Sequence, residues 1–545
     1  MGTEQCDETM ANASEVKLEQ FLQWLQLNNV ELRGSSIKYS NSNKGFGIFS
    51  SNDVCDGILL VVPLDLSITP MRVLQDPLFG PHCRAMFEEE EVDDRFLLIL
   101  FLMVERLRKN SSWKPYFDIL PTKFGNPLWF SDDELSELKG TTLYQATDLQ
   151  KQKLHHLFYG KMKKLAEELL TLDGCPESEV GFDDLLWANS IFWSRAQNIP
   201  LPHSYVFPKS SEGKELESAE KNGTAIASES VEDTVWVEGL VPGIDFCNHG
   251  ARPTATWEVD ATGMTAGVPF SMYLSSNGEG PFKSHNEVLI SYGNKGNEEL
   301  LYLYGFVMED NPDDYLMVHY PVEAIQGINF SESKSQLLQA QKAEMRCLLP
   351  RSLLKEGFFP PCTPQIEMSD KHSGNHMKNY SWSGERKLPS YSNRLVFPED
   401  FLSTLRTIAM REDELFKVTT LLSELVAPES QRQPTDIEVR AAIWEACGDS
   451  GALQMLVDLL NMKMMDLEEG SGTEENDTKL LSKDFFIDAV EHKSKYDNND
   501  TKENFLSRNK WCSIIYRRGQ KQLTRLFLKE AEHALQLALL EDNQN

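Results

Sequence analysis

The chain has 545 residues, 41% hydrophobic and 10% aromatic, too long for one ordinary core and too apolar for a mostly disordered protein. Lysine and arginine total 53 against 84 aspartate and glutamate, a formal charge of −31 that repels phosphate backbones, so no nucleic-acid partner is expected. The basic run Arg517-Arg518-Gly519-Gln520-Lys521 reads as a solvated helix face, and the apolar run Phe96–Val104 is far below the ~20 residues that span a bilayer, so no membrane association is expected.

Residues 1–18 read as an acidic disordered tail, and Lys17–Leu27 as a short amphipathic segment with Phe21, Trp24, Leu25 and Leu27 apolar. From Ile37 to Thr69 the pattern turns to β-type runs: Ile37-Lys38-Tyr39, Gly47-Ile48-Phe49, and Ile58–Val62 closed by Pro63. Helices are predicted at Asp93–Lys109 and Leu149–Leu172, with a third starting near Asp183 as its N-cap. Between Pro208 and Asp233 a Ser/Glu/Lys/Gly stretch reads as a mobile surface insertion. Strand-like runs return from Val235 to Ile290. Beyond Asn311 the pattern is helical, at Ser333–Leu348, Glu399–Leu425, Asp436–Met465 and Lys510–Leu540, with polar breaks at Met368–Ser390 and Glu468–Asp477. The expected class is α+β: a β-containing catalytic candidate over 19–311, with a helical insertion at about 71–200, followed by an all-α domain over 312–545.

Nine scattered cysteines with no Cys-x-x-Cys pair argue against a disulfide framework and a structural zinc site. A reducing compartment, cytoplasmic or nuclear, is expected. Met1–Ser14 carries Glu4, Asp7 and Glu8 and no arginine, unlike a secretory signal or transit peptide. No metal is expected, since His372 and His376 fall in a polar stretch and no second ligand accompanies His249 at suitable spacing.

Four segments could carry chemistry. Gly45-Phe46-Gly47 is a Gly-x-Gly turn entering a strand, where two glycines let a ligand approach the backbone; Ser50 and the following strand distinguish it from a dinucleotide fingerprint. Ser194-Arg195-Ala196-Gln197 ends a helix with an arginine able to pair with a carboxylate, of a ligand or of a local acid. Leu240–Gly250 packs Asp245, Asn248 and His249 into five positions, with donors and acceptors that suit an adenine or amino acid group; an Asx turn with a satisfied histidine is the plain alternative. Glu287–Phe306 delivers Tyr292 at the end of a strand and presents Tyr304 before a glycine; taken alone, such a tyrosine is a core residue with its hydroxyl bonded.

In this order the motifs resemble those of SET domains, and more closely the Rubisco large-subunit methyltransferase family, which includes the actin-histidine methyltransferase. The segments "LVPGIDFCNHG" and "ISYGNKGNEELLYLYGF" look like that family's two most specific motifs, and "SSWKPYFDILP" resembles its inserted helical region. The resemblance implies a knotted β-rich SET core and a C-terminal substrate-binding domain. It also implies a protein methyltransferase that uses S-adenosyl-L-methionine, acts on a protein substrate and is a monomer. By position, Gly45, Phe46 and Gly47 would contact the cofactor, Asn248 and His249 would hold its amino acid and adenine portions, and Tyr292 would lie beside the methyl group. Tyr304 and Phe306 would wall the channel, with Phe306 on the cofactor side. Arg195 would bind a carboxylate or shape the target pocket, and Asp245 would support the arrangement or touch the target. Ser194, Gln197, Trp257 and Tyr304 are assigned to the substrate side.

The implied chemistry is in-line methyl transfer to a nitrogen, with alignment as the protein's main task. A target lysine, with reference pKa ~10.4, must first lose its proton, which a dry channel beside a cationic sulfonium favours. Gln197 stands where lysine-directed relatives tend to carry an aromatic, and the histidine-directed relative carries asparagine there. Trp257 stands where a target-pocket tyrosine is expected, and Ile244 replaces a tryptophan of the histidine-directed relative. Lysine is the favoured acceptor; histidine transfer and a non-catalytic partner-binding SET protein are the alternatives.

Overall fold

The computed structural model describes residues 4–41, 44–51, 57–174, 179–207, 234–278, 286–361, 386, 388–425, 432–482 and 506–542, with side chains from Glu15 onward. The expected insertion at 208–233, most of the Met368–Ser390 break, and His372 and His376 lie outside them. By contact the chain divides into two units. The first takes in Met1–Trp129, Asp148–Asn294 and Leu303–Gly305; the second takes in Phe130–Thr147, Lys295–Tyr302 and Phe306–Asn545. The division differs from a single cut near 311, because Phe130–Thr147, Lys295–Tyr302 and the residues from Phe306 onward are counted with the helical half.

In the first unit a helix covers Glu4–Leu27, so the residues read as a disordered tail are helical from Glu4. The strands follow as β1 (Glu31–Leu32), β2 (Ser35–Asn41), β3 (Gly45–Ser50), β4 (Ile58–Pro63), β5 (Gln197–Pro202), β6 (Thr234–Gly239), β7 (Asn248–His249), β8 (Ala255–Asp260), β9 (Ser271–Ser276) and β10 (Glu287–Ile290). Two four-stranded sheets run in the orders β1-β4-β9-β8 and β2-β3-β10-β7, and β5 pairs with β6. The run Ile58–Val62 is buried throughout because β4 is flanked by β1 and β9, which explains why its sequence does not alternate. β10 is antiparallel to β3 but parallel to β7, and this crossover brings Leu289 and Ile290 beside Asn248 and His249.

The helix Asp94–Leu107 starts at Asp93, whose carboxylate accepts from the Phe96 amide at 2.8 Å. Phe96 to Glu105 are all buried, the mark of a helix packed on every side. The one acid among them, Glu105, is held by Arg108 and Ser111. The predicted helix Leu149–Leu172 begins earlier, at Thr142, and passes through a π-helical turn at Phe158–Met162. The third helix spans Phe182–Arg195; its cap is Gly181, not Asp183, and Asp184 accepts the Gly181 amide at 2.9 Å. The resulting core runs from Phe21 through the sheets to Ile290.

The second unit is not purely helical. β11 (Tyr315–His319) and β12 (Arg346–Pro350) form an antiparallel hairpin with Leu316 facing Leu349. The hairpin shares a core with the helices Glu399–Ala409, Ser450–Glu468 and Arg508–Asp542. The basic run at 517–521 departs from its reading as a solvated face. Arg517 and Lys521 are almost fully buried on the last helix. Asp477 compensates both, from Arg517 Nη2 at 2.5 Å and Lys521 Nζ at 2.7 Å, and Glu137 takes a second arm of Arg517 at 2.7 Å. Among the described residues no helix is long and apolar enough to cross a membrane.

Candidate active site

The site is built on the turn that launches β7. Gly243 has φ +104°, a conformation that suits glycine, and precedes the 3-10 turn Ile244–Phe246. Asp245 in that turn has a fully buried carboxylate. Its Oδ2 accepts from Tyr116 Oη at 2.7 Å and Arg195 Nη1 at 3.1 Å, and its Oδ1 accepts from the Gly243 amide at 3.1 Å. Arg195 Nη1 also donates to the Asp245 carbonyl at 2.8 Å, and its guanidinium lies 4.7 Å from the centre of the Phe246 ring. Burial raises the Asp245 carboxyl above its ordinary range, against the opposing pull of Arg195 and Tyr116. Burial likewise pushes the Tyr116 phenol well up, so it remains a neutral donor.

Arg195 and Asp245 engage each other, and both carboxylate oxygens of Asp245 accept hydrogen bonds from within the protein, which fixes the turn. Ser194, expected at the substrate, donates to the Ser190 carbonyl of its own helix at 2.7 Å. Trp257 stands on β8 opposite Leu274, packed against the core. Phe306 is counted with the second unit.

Tyr292, Tyr304, His249 and Asn248 are brought together with Phe46 and Gly47. The Tyr292 amide donates to His249 Nδ1 at 3.1 Å, which makes Nδ1 an acceptor and places the proton of a neutral imidazole on Nε2. The Tyr292 hydroxyl donates to the Cys247 carbonyl at 2.8 Å. Its ring lies 5.2 Å from His249 and 4.7 Å from Tyr304. Burial pushes the Tyr292 phenol far above its ordinary value, which keeps it protonated at neutral pH. Gly305, which follows Tyr304, has φ +75°, and a Cβ there would lie 2.7 Å from the Gly125 backbone. Tyr304 therefore enters the site on a turn that other residues disfavour.

On the β3 side, Asn248 Nδ2 donates to the Phe46 carbonyl at 3.3 Å and to Glu287 Oε1 at 2.7 Å. Gly45 has φ +71° and, among the described residues, a Cβ there would meet nothing within 4 Å, while a Cβ at Gly47 would lie 2.7 Å from Glu287 Oε1. The first glycine leaves the backbone open to approach, and the second permits close packing of β3 on β10. At the end of the Arg195 helix, Gln197 begins β5, and its buried Oε1 finds no hydrogen-bond partner among the described residues.

Glu287, Lys44 and Tyr116 were not singled out as site residues from the sequence. Glu287 opens the strand that ends at Tyr292, so the register of β10 against β7 and β3 was the missing signal. Tyr116 lies 129 positions before the aspartate it bonds, and no local pattern announces that pairing.

No family model matches the chain. It is similar to the ribosomal lysine N-methyltransferase set10 of Schizosaccharomyces pombe, 26% identical over 332 residues that make up 59% of this chain and 51% of that protein. The Rubisco large-subunit N-methyltransferase of Pisum sativum is 28% identical over 53% of this chain and 51% of its own length. The human actin-histidine N-methyltransferase is 23% identical over 63% of this chain and 50% of its own length. The chain thus spans about half the length of the curated relatives it matches. Among solved structures, the SET domain of the Rubisco methyltransferase bound to lysine and S-adenosylhomocysteine aligns over 96% of this chain and 92% of that one, with TM-score 0.59 and 19% identity. The same methyltransferase bound to sinefungin and monomethyllysine gives 0.58 and 20%. The chain carries the SET fold of the Rubisco large-subunit methyltransferases, with sequence similarity to them and to the actin-histidine methyltransferases.

Proposed function

We propose that this protein is an S-adenosyl-L-methionine-dependent protein-lysine N-methyltransferase acting on a non-histone protein. The observation that carries the reading is Tyr292, fixed by the Cys247 carbonyl and His249 Nδ1 and faced by Tyr304. A rigid, neutral phenol of this kind can orient an amine without competing for its proton. The residues present fit the cofactor: an open approach at Gly45, backbone carbonyl and amide groups of β3, and the side chains of Asn248 and His249. When bound, the sulfonium would supply an activated methyl group. The chain's own residues then have three tasks: Asn248 and His249 bind, Tyr292 and Tyr304 orient, and the Arg195–Asp245–Tyr116 cluster holds the turn between them.

The helical second unit is proposed to bind the protein substrate, by analogy with the fold it resembles, and the chain to act as a monomer in the cytoplasm or nucleus. Five buried free cysteines among the described residues support a reducing compartment. Histidine transfer is the second reading: among the described residues the buried amide oxygen of Gln197 has no partner and could accept an N–H from either an imidazole or an amine. Incubation with radiolabelled cofactor and a methyl-poor cell extract, followed by identification of the labelled residue, tests both. Label on lysine supports the first reading and label on histidine the second. A folded sample that binds no S-adenosylmethionine by calorimetry would leave a partner-binding protein without catalysis.

A further inference from the structure

Beside Asn248 lies an acid, Glu287, that opens the Tyr292 segment and was given no site role of its own. Glu287 opens β10 opposite Phe49 of β3, and two residues later Leu289 pairs in parallel with Asn248. Its carboxylate is shared: Oε1 accepts from Asn248 Nδ2 at 2.7 Å and Oε2 accepts from Lys44 Nζ at 2.7 Å. The Phe46 carbonyl, at 3.3 Å, takes the other hydrogen of Asn248 Nδ2. A primary amide carries two N–H groups, so both are spent within the protein. What the Asn248 carboxamide has left is its acceptor, Oδ1.

The arrangement is sterically sealed. A Cβ at Gly47 would lie 2.7 Å from Glu287 Oε1 and 3.0 Å from Asn248 Nδ2, so glycine is what lets the carboxylate reach the amide. Lys44 balances the charge of Glu287, which is itself mostly buried.

We infer that Glu287 is a positioning residue of the cofactor site, holding Asn248 with Oδ1 outward as an acceptor for an N–H donor of the bound cofactor. That donor is the α-ammonium group or the adenine 6-amino group. Without the acid, the carboxamide can turn over and present donors where an acceptor is needed. The inference rests on the cofactor reading given above.

The test uses the full chain, with S-adenosylhomocysteine, its 6-hydroxy (inosine) counterpart and its desamino counterpart as calorimetric probes. Glu287→Ala is expected to weaken S-adenosylhomocysteine binding about ten-fold, the scale of one charge-assisted hydrogen bond. Gly47→Ala, which pushes the carboxylate aside, should weaken it similarly. The double variant should bind no worse than the weaker single variant, because both changes break the same contact. Glu287→Gln keeps an acceptor oxygen and should recover most of the affinity. In turnover, the loss should fall on the KM for the cofactor, with kcat moving far less. The analogue that lacks the held group should bind wild type and Glu287→Ala equally, which identifies the donor. If Glu287→Ala melts below the assay temperature, Lys44→Met, an exposed change that frees the carboxylate, carries the test with a loss of a few-fold. Equal binding by wild type and Glu287→Ala, or losses that add in the double variant, would overturn the inference alone. A folded wild type that binds no S-adenosylhomocysteine would remove the cofactor reading together with it.

Discussion

The Tyr292 hydroxyl donates to the carbonyl oxygen of Cys247 at 2.8 Å, so the phenol central to the site is anchored by the backbone of the segment that enters β7. The anchor fixes the ring against His249 on one side and Tyr304 on the other. Tyr292→Phe removes the dipole while leaving the ring. Turnover is expected to fall by about 100-fold or more, since alignment is what this site contributes. Cofactor affinity should change only a few-fold, as the Tyr292 amide still holds His249. Single-turnover labelling alongside calorimetry separates the two, and near-normal turnover would remove Tyr292 from the mechanism.

Arg195 and Asp245 give a stability prediction with a sign. The Asp245 side chain has no solvent exposure, and Arg195 supplies its compensating charge. Arg195→Met leaves the buried Asp245 carboxylate without its compensating charge, and is expected to cost about 3–5 kcal/mol. Asp245→Asn on that background should recover part of the loss, because the neutral pair no longer buries a charge. Denaturant midpoints of both variants and the double variant test this; independent, additive losses would show that the pair does not act as a unit.

Asp260 organises the turn between β8 and β9 through both of its carboxylate oxygens. Its Oδ1 accepts from the amides of Thr262 at 3.0 Å and Gly263 at 2.7 Å, and its Oδ2 from Thr265 at 2.8 Å and Ala266 at 2.7 Å. Burial alone would raise this carboxyl, but the four backbone bonds together hold it below its ordinary value. Asp260→Ala strips a partner from every one of those amides and is expected to cost about 2 kcal/mol or more. Asp260→Asn, with one acceptor oxygen, should cost less. Thermal melting ranks the two, and equal Tm values for Ala and wild type would contradict the role.

Much of this was legible in the residues because local patterns carried it. The buried run Ile58–Val62, the apolar helix beginning at Asp93, and the clustering of Asn248, His249 and Tyr292 follow from composition, capping and motif order. What was not legible depends on contacts far apart in sequence. The stretch Ser333–Leu348 reads as one helix, yet it ends at Ala340, Lys342 takes φ +51°, and Arg346–Pro350 becomes β12 with Cys347 and Leu349 buried. The alternation was there to see, but Leu348, half exposed, sits out of phase with it. The burial of Arg517 and Lys521 had no local sign either, since Asp477 is 40 and 44 positions away. At the site, motif order indicated the right neighbourhood, while the bonding of Asp245 by both Arg195 and Tyr116 had no local sign.

Two buried acids in the second unit should give the stability–pH curve opposite slopes. Asp449 accepts from Arg406 Nε at 2.8 Å, Arg386 Nη2 at 2.9 Å and Tyr391 Oη at 3.0 Å. Burial pushes its carboxyl up, but Arg406 and Arg386 with these bonds bring it down to about 2. Its folded value lies below the unfolded ~3.9, so its contribution is complete above about pH 5 and is lost as pH falls toward 2. Asp314 is the reverse. Burial raises it to about 6, only partly offset by the Asn297 amide at 2.6 Å and Asn297 Nδ2 at 3.1 Å. Its protonated form is favoured in the folded state, so it costs nothing below about pH 4, and the penalty grows as pH rises through 6. Asp449→Asn should therefore destabilise by about 3 kcal/mol or more at pH 7, with the gap to wild type closing toward pH 2. Asp314→Asn keeps one acceptor oxygen and should flatten the loss of stability between pH 4 and 6.5. Denaturant midpoints across pH 2–8 for wild type and both variants decide it; an unchanged slope between pH 4 and 6.5 in Asp314→Asn would show that this carboxyl is ionised without penalty.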